Sequence, residues 1–525
     1  MSLELFNKKN YHRKVIISIC LIGIMLFFII TNIIWLAIDT LPPYYDPLNH
    51  MARARLLSVD LKNIDRIKKL YSPFFYLTTI PFLKLVGVND DSFAYVNSLY
   101  IIILIMSVFG IAKILFDEWS GVGSAFLVLL YPFVFYMTRQ YYLDFALLAV
   151  VSLVQYLILK SEGGTRKYWN IGLGIAAGCA LLIKPHGALF FLPTWIISFL
   201  YHHNKKGKLK PVLLALAIIL IIALPWYIIA RKDFIRWNIK IYKAQTIALP
   251  QNKNLFTVLS IYNSLLYEHM VLPYLFFAFL IGLASYIIFD RRWKMLLILL
   301  SLIVVPLIAL ALWPNKDPRF ILPVLPVFAI LTIGGASRIP SKLFKTMSWS
   351  AIFFVALLQF VHFSFTPICF FKNDASVYCT PARPSRVNWK IKEILDYLSD
   401  YSGAKKVSIG IITMDQPHFN DGLFKYYTSC SGFSFKFQDR KIIENYGNLK
   451  EARLIKNTLS QCDLVITRKP QDGHEYAELL CKEFNEVEAD RFGFKMIREF
   501  ELPDASKAII YENTQKRSVK LENNR

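Results

Sequence analysis

Apolar residues gather in runs of about 17–25 residues as far as Phe365, and beyond that point the runs stop. A run of about 20 apolar residues, wound as a helix, crosses a hydrocarbon core of about 30 Å. A helix satisfies its own backbone hydrogen bonds, so it is the form such a run takes in lipid. The pattern predicts spans at 15–37, 92–115, 121–138, 144–160, 168–183, 186–201, 211–229, 268–289, 294–312, 319–336 and 346–364. Trp35, Trp226, Tyr227 and Trp313 fall at the ends of such runs, where amphipathic rings favour the interface. The chain therefore divides into a membrane region, 1–365, and a polar region, 366–525. The fold class is an α-helical polytopic membrane protein with about eleven transmembrane helices, followed by a C-terminal extracytoplasmic α/β domain.

One segment decides the topology. Residues 74–86 (FFYLTTIPFLKLV) are apolar but short, and they include Pro81 and Lys84. As a helix they reach only about 20 Å, so they are predicted to lie at the interface without crossing. With that choice, the loops 160–167, 202–210, 290–294 and 338–345 share one side, and all are basic. Basic short loops mark the cytoplasmic side. If the segment crossed, the same loops would face outward. The first run follows Lys8, Lys9, Arg13 and Lys14, is too long for a signal-peptide core, and has no small-residue cleavage site after it. The expected topology is a multi-pass protein of the plasma or inner membrane, with a cytoplasmic N-terminus and the tail outside. A first loop, 38–91, and a loop at 230–267 then also face outward.

The tail alternates in character. KKVSIGIIT (405–413), CDLVITR (462–468), FKMIREF (494–500) and KAIIYE (507–512) read as strands; 388–398 and 474–484 have helical periodicity. No Gly-rich phosphate loop and no nucleophile elbow occurs there.

The net charge of +23 changes little in this setting. In a membrane protein, Lys and Arg fix topology and touch anionic lipid headgroups, so nucleic acid is not an expected partner. Of seven cysteines, Cys20 and Cys179 sit in apolar runs; Cys369, Cys379, Cys430, Cys462 and Cys481 lie in the tail. No metal-type Cys/His spacing appears, and an extracytoplasmic tail allows one or two disulfides of undetermined connectivity.

Candidate chemistry concentrates at the predicted outward helix ends. In DPLNHMARAR, Asp46, His50 and Arg53 are spaced i, i+4, i+7 and share a helix face. The same Asp46-Pro47 is an ordinary helix start, with Asp as N-cap and Pro at N1. Asp317-Pro318 and Asp144 admit the same reading. Capping and chemistry are compatible, and the sequence leaves both open. Arg139, Asp144, Lys184, His186, Lys316, Asp317 and Arg319 all fall on the outward side. Ionisable groups at membrane depth are costly and tend to be functional. Carboxylates and cations beside a lipid phase suit chemistry on a lipid-linked phosphate.

Five stretches in order resemble glycosyltransferase family 39, the polyprenyl-phosphate-sugar-dependent transferases of GT-C fold that include protein O-mannosyltransferases and aminoarabinose transferases. They are YYDPLNHMARARLL (44–57), SPFFYLTTIPFLKLVGV (72–88), TRQYYLDFALLAVVSL (138–153), LLIKPHGALFFLP (181–193) and NKDPRFILPVLP (315–326). The resemblance spans 15–365. It implies inverting transfer of a sugar from a polyprenyl-phosphate donor to a lipid, glycan or protein acceptor. Asp46 would then be the general base and Asp144 a second catalytic carboxylate that binds sugar or acceptor or orients a cation. Arg139, Lys184 and Arg319 would bind the donor phosphate, with His50, Arg53, His186, Lys316 and Asp317 in support. This chain departs from the family in two places. Asp46-Pro47 stands where an Asp-Glu pair is usual, and Tyr71-Ser72 precedes Pro73 where aminoarabinose transferases carry Glu-Lys. No cofactor or metal ligand set is expected. The alternative is a transporter or flippase of lipid-linked sugars; it fits less well, because no internal repeat is visible and the charges gather at one face.

Overall fold

The structure is a computed structural model that describes residues 2–66, 71–206, 209–248, 255–290, 292–313, 316–368, 383–403, 407–412, 418–431, 435–437, 462–469, 485, 489 and 493–516. It separates into two compact units: residues 1–37 with 53–384, and residues 38–52 with 385–525. The boundary expected at 365/366 is therefore displaced. The stretch 38–52 belongs with the tail, because its contacts are made there.

In the first unit the predicted spans are helical, with breaks inside 121–138 and 268–289. α1 runs Ser2–Ile38, α2 Tyr45–Val59, α3 Phe74–Val86, α4 Asn97–Leu115, α5 Glu118–Leu130 and α6 Pro132–Thr138; the domain boundary falls within α2. There follow α7 Leu143–Lys160, α8 Lys167–Ile183, α9 Ala188–Lys206, α10 Lys210–Ala248, α11 Leu255–Ser264, α12 Pro273–Phe289, α13 Trp293–Ala311, α14 Leu325–Ala336 and α15 Lys342–Ser364. Among the described residues six helices are long and apolar enough to cross a membrane alone, and up to eight if two bent pairs each count as one span. α3 has the short length expected of a helix that does not cross.

Prolines set the breaks. A residue before proline is driven out of the α region. Tyr131, at φ −65° and ψ 129°, separates α5 from α6, which starts with Pro132, and the pair bends by 73°. One expectation is corrected here. The loop drawn at 230–267 is mostly helix, because α10 continues past the apolar run to Ala248 and α11 follows.

Small residues bring backbones together. A Cβ at Gly174 or Gly178 of α8 would lie 2.8 or 2.9 Å from Ile218 or Ile222 of α10. A Cβ at Gly335 of α14 would lie 1.9 Å from the Gly282 carbonyl oxygen of α12. Such approach supplies van der Waals packing where the hydrophobic effect cannot drive helices together.

Ion pairs gather one set of helix ends. Glu118 at the start of α5 takes Arg13 of α1 at 2.9 Å and Lys113 near the end of α4 at 2.7 Å. Asp290 after α12 takes Arg338 after α14 at 2.8 Å, while Arg292 donates to the Leu115 carbonyl at 2.6 Å. The ends joined here belong to the side where alternation of the spans placed the basic loops.

The second unit holds a five-stranded mixed sheet of order β2-β1-β3-β5-β4. Its strands are β1 Val407–Ile412, β2 Phe435–Phe437, β3 Leu464–Lys469, β4 Phe494–Glu501 and β5 Lys507–Asn513. β1 lies parallel to β2 and β3 (Ile409↔Leu464), and β5 lies antiparallel to β3 (Ile466↔Ile510). α16 (Ile391–Ser402) buries Ile391, Ile394, Leu395 and Leu398, the i, i+3, i+4, i+7 stripe of an amphipathic helix. It starts three residues later than predicted, since Lys390 stands in the left-handed region at φ 58°. α17 (Asp421–Ser431) and β2 were not predicted. The expected helix at 474–484, with Cys369, Cys379 and Cys481, lies outside the described residues. Among the described residues Cys20 and Cys179 are free thiols.

Candidate functional site

A buried ion pair begins the site. Asp144, the second residue of α7, accepts a hydrogen bond from Lys184 Nζ at 2.7 Å; the two side chains are 2% and 14% exposed. Lys184 ends α8 in extended backbone, φ −152° and ψ 134°, because Pro185 follows it. The capping reading of Asp144 fails: Tyr142 is the N-cap and Asp144 is spent on Lys184.

Asp317 does cap. It opens the short 3-10 turn Pro318–Val324 and accepts the Arg319 backbone N–H at 2.9 Å. The same carboxylate takes the Arg319 guanidinium Nε at 2.9 and 3.0 Å. Burial pushes the Asp317 carboxyl up, but Arg319 and Lys184 outweigh it and hold the carboxyl below its ordinary range. The guanidinium of Arg319 lies 4.6 Å over the Tyr142 ring. Phe320 sits under the Lys184 ammonium at 5.6 Å and beside the His186 ring at 5.3 Å. Asp144, Lys184, His186, Asp317 and Arg319 thus form one cluster.

The cluster borders a cavity of about 410 Å³. Lys184 and His186 form its polar end, and Phe320, Trp226, Tyr227, Phe234, Trp237 and Trp313 form an aromatic wall. His186 Nε2 is buried and has no hydrogen-bond partner among the described residues. An ammonium has three donors, of which Asp144 takes one. The polar end therefore offers hydrogen-bonding capacity to whatever fills the cavity. Tyr71 and Ser72, the pair that departs from the family pattern, also line it.

Other predicted residues stand elsewhere. Arg53 donates from Nη1 to Tyr76 Oη at 3.2 Å and lies 5.0 Å over the Tyr71 ring, so it supports the cavity wall at one remove. Lys316 donates to the carbonyls of Leu310 at 3.1 Å, Ala311 at 2.8 Å and Trp313, so it caps the end of α13. Arg139 is 3% exposed. It donates from Nε to Asn32 at 3.1 Å and from Nη2 to Ser364 at 2.8 Å, among the rings of Trp35, Phe135 and Phe360. The structure does not bring Arg139 into the cluster. Asp46 and His50 belong to the second unit. Asp46 is exposed in the first turn of α2, one residue after its start, and His50 is 6% exposed. Among the described residues no group of three His, Cys, Asp or Glu is placed to hold a metal ion.

The aromatic wall was missed. Positions 226, 227, 234, 237 and 238 repeat at helical spacing. That signal runs through the basic RKDFIR (231–236), which looks like a loop after an apolar run.

Comparison with known proteins gives the class. Residues 72–229 match the family described as dolichyl-phosphate-mannose-protein mannosyltransferase. That range includes Arg139, Asp144, Lys184 and His186. ArnT from Cupriavidus metallidurans, in its apo crystal structure, is similar with 12% identity over 94% of this chain and 97% of that chain, at a TM-score of 0.58. The same protein bound to undecaprenyl phosphate matches with 12% identity over 94% and 98%, also at 0.58. The archaeal oligosaccharyltransferase AglB from Archaeoglobus fulgidus, in complex with an inhibitory peptide and a dolichol-phosphate, matches with 13% identity over 96% and 75%, at 0.55. No curated protein matches the sequence. The chain is a membrane protein with the GT-C glycosyltransferase fold.

Proposed function

We propose that the chain is a membrane glycosyltransferase that moves a sugar, with inversion, from a polyprenyl-phosphate donor to an extracytoplasmic lipid, glycan or protein acceptor. The observation that carries this reading is the cavity whose polar end is Lys184 and His186 and whose wall is aromatic, set in a GT-C fold. The prenyl chain lies along the aromatic wall and the phosphate meets Lys184 Nζ and His186 Nε2.

The acceptor oxygen attacks the anomeric carbon, and the bond from that carbon to the phosphate oxygen breaks. The acceptor proton goes to Asp46, the general base. The prenyl phosphate leaves with one more negative charge than it carried as a diester. Fixed donors beside that oxygen favour the transition state over the ground state. Asp144 orients Lys184, and Asp317 orients Arg319, whose charge acts on the same cluster. Arg139 receives no phosphate role, because Asn32 and Ser364 hold its guanidinium. The long apolar donor explains why a nucleotide-binding loop is not needed.

The test is transfer of label from a panel of polyprenyl-phosphate-[14C]sugars in membranes that contain wild type, Asp46→Asn or Lys184→Gln. Transfer by wild type and loss in both variants at equal protein level is the expected result. If no donor serves but labelled sugar-lipid crosses the vesicle bilayer, the protein is a flippase and the transferase reading is wrong.

A further inference from the structure

The stretch from Asp39 to Tyr44, which leads into α2 and Asp46, is gripped by residues of the C-terminal domain. The Thr40 N–H donates to the Ser385 carbonyl at 2.8 Å, and the Ser385 N–H donates to Asp39 Oδ1 at 2.8 Å. His418 Nδ1 lies 2.8 Å from the Pro42 carbonyl oxygen. Its partner only accepts, so Nδ1 carries the proton and the tautomer is set. Burial holds the imidazole below its ordinary range, so the ring donates as a neutral group at pH 7. The ring stands 4.7 Å from that of Tyr44 and 5.8 Å from that of Trp389. After Asp46, Leu48 reaches the start of α17: a Cβ at Gly422 would lie 3.2 Å from Leu48 Cδ2. The chain is therefore fixed on both sides of Asp46, while Asp46 itself is exposed.

We propose that the C-terminal domain positions the general base, and that His418 is the positioning residue through which it holds Pro42 and Tyr44 ahead of Asp46. This rests on the reading of Asp46 as base. A base must be held within a fraction of an ångström of its productive place, and misplacement by about 1 Å costs about 100-fold in rate. Pro42 lacks an N–H, and its carbonyl is the polar handle it offers to a neighbour. Tyr44 supplies the ring against which His418 rests. The domain is then part of the catalytic apparatus and more than a cover for it. His418 touches no reacting atom, so its loss is expected in turnover and not in donor binding.

The experiment measures kcat and donor KM in the full-length protein for His418→Phe, His418→Asn and Tyr44→Leu beside Asp46→Asn. His418→Phe keeps an aromatic ring and removes the donor; His418→Asn restores an N–H near Nδ1. Expected are a fall in kcat of about 10- to 100-fold for His418→Phe with KM unchanged, partial rescue in His418→Asn, and a similar kcat loss in Tyr44→Leu, which leaves the C-terminal domain intact. In the Asp46→Asn background, His418→Phe should lower the residual rate no further. Wild-type kcat in both His418→Phe and Tyr44→Leu, with Asp46→Asn inactive, overturns the positioning role and leaves the transferase reading standing. Full activity in Asp46→Asn overturns the base assignment and this proposal with it. Equal further loss in the Asp46→Asn background would show that His418 acts only through the fold, which also overturns it.

Discussion

Arg139 and Lys184 are both cations withdrawn from water inside the membrane unit, yet the structure uses them differently. Arg139 gives its guanidinium to Asn32, Ser364 and three aromatic faces, all part of the packing of α1, α6 and α15. Lys184 gives one bond to Asp144 and lines a cavity. A buried charge is tolerated where its hydrogen bonds are met, so burial alone does not separate structure from function. Donor capacity facing an open volume does. The sequence could not make that distinction, since both residues stand at helix ends on one side of the membrane.

The comparison breaks most readily at Arg139. Arg139→Ala removes a large side chain from among Trp35, Phe135 and Phe360 and strands polar partners, at a cost of about 3–5 kcal/mol. A lower thermal midpoint in detergent with near-normal turnover per folded molecule is expected. A normal midpoint with lost turnover would move Arg139 into the site. Lys184→Gln should do the opposite in activity, with transfer reduced about 100- to 1,000-fold, the typical loss for one preorganised donor. It also leaves Asp144 buried without its cation, costing about 3 kcal/mol. The double variant Lys184→Gln/Asp144→Asn should regain the midpoint and stay inactive. Recovery of transfer in that double variant would reduce the pair to packing.

Most of the architecture was legible because its cause is local. Lipid accepts only helices of a certain length, so apolar run length located the helices, but among the described residues six to eight are long and apolar enough to cross where about eleven spans were expected; the length of 74–86 predicted α3. The strands of β1, β3, β4 and β5 were read from apolar runs within one residue or two of their bounds. Arrangements set by tertiary contact were not legible. The aromatic wall on α10 was hidden because the helix outlasts its apolar run. Lys316 and Asp317 both looked like site residues, and only carbonyl positions show that Lys316 closes α13. The assignment of 38–52 to the tail depends on Ser385, His418 and α17, more than 330 residues away in sequence.

A half-buried carboxyl extends the comparison to the second unit. Asp39 is half-buried and accepts from the backbone N–H groups of Ser385 and Leu41; loss of water outweighs those bonds and raises its carboxyl from 3.8 to about 6. The folded state therefore holds the proton more tightly than the unfolded chain. The stability this contributes is complete below about pH 4 and is lost as pH rises through about 6, a loss of at most about 3 kcal/mol. Asp39→Asn keeps the acceptor oxygen and removes the titration. Subtracting its midpoint-versus-pH curve from that of wild type should leave a difference that grows against wild type between pH 4 and 7. A flat difference would mean that Asp39 is ionised and well solvated in the fold.

The smallest effect tests the two ends of the cavity against each other. Lys184 is assigned to the departing phosphate, whose charge changes during the reaction, so its loss should appear in kcat. Trp237 is assigned to the prenyl chain, which is the same in the ground state and the transition state. Uniform binding of that kind lowers KM without raising kcat. Trp237→Ala removes apolar contact worth about 1–2 kcal/mol, so donor KM should rise about 10-fold with kcat kept. The size of that rise should depend on the donor. With a long prenyl chain the aromatic wall is occupied and the loss is full. With a donor shortened to a few isoprene units, too short to reach Trp237 from the phosphate, wild type and variant should converge. A kcat loss that persists with the short donor would place Trp237 against the sugar or acceptor, and the aromatic wall would then belong to the chemistry and not to the tail of the lipid.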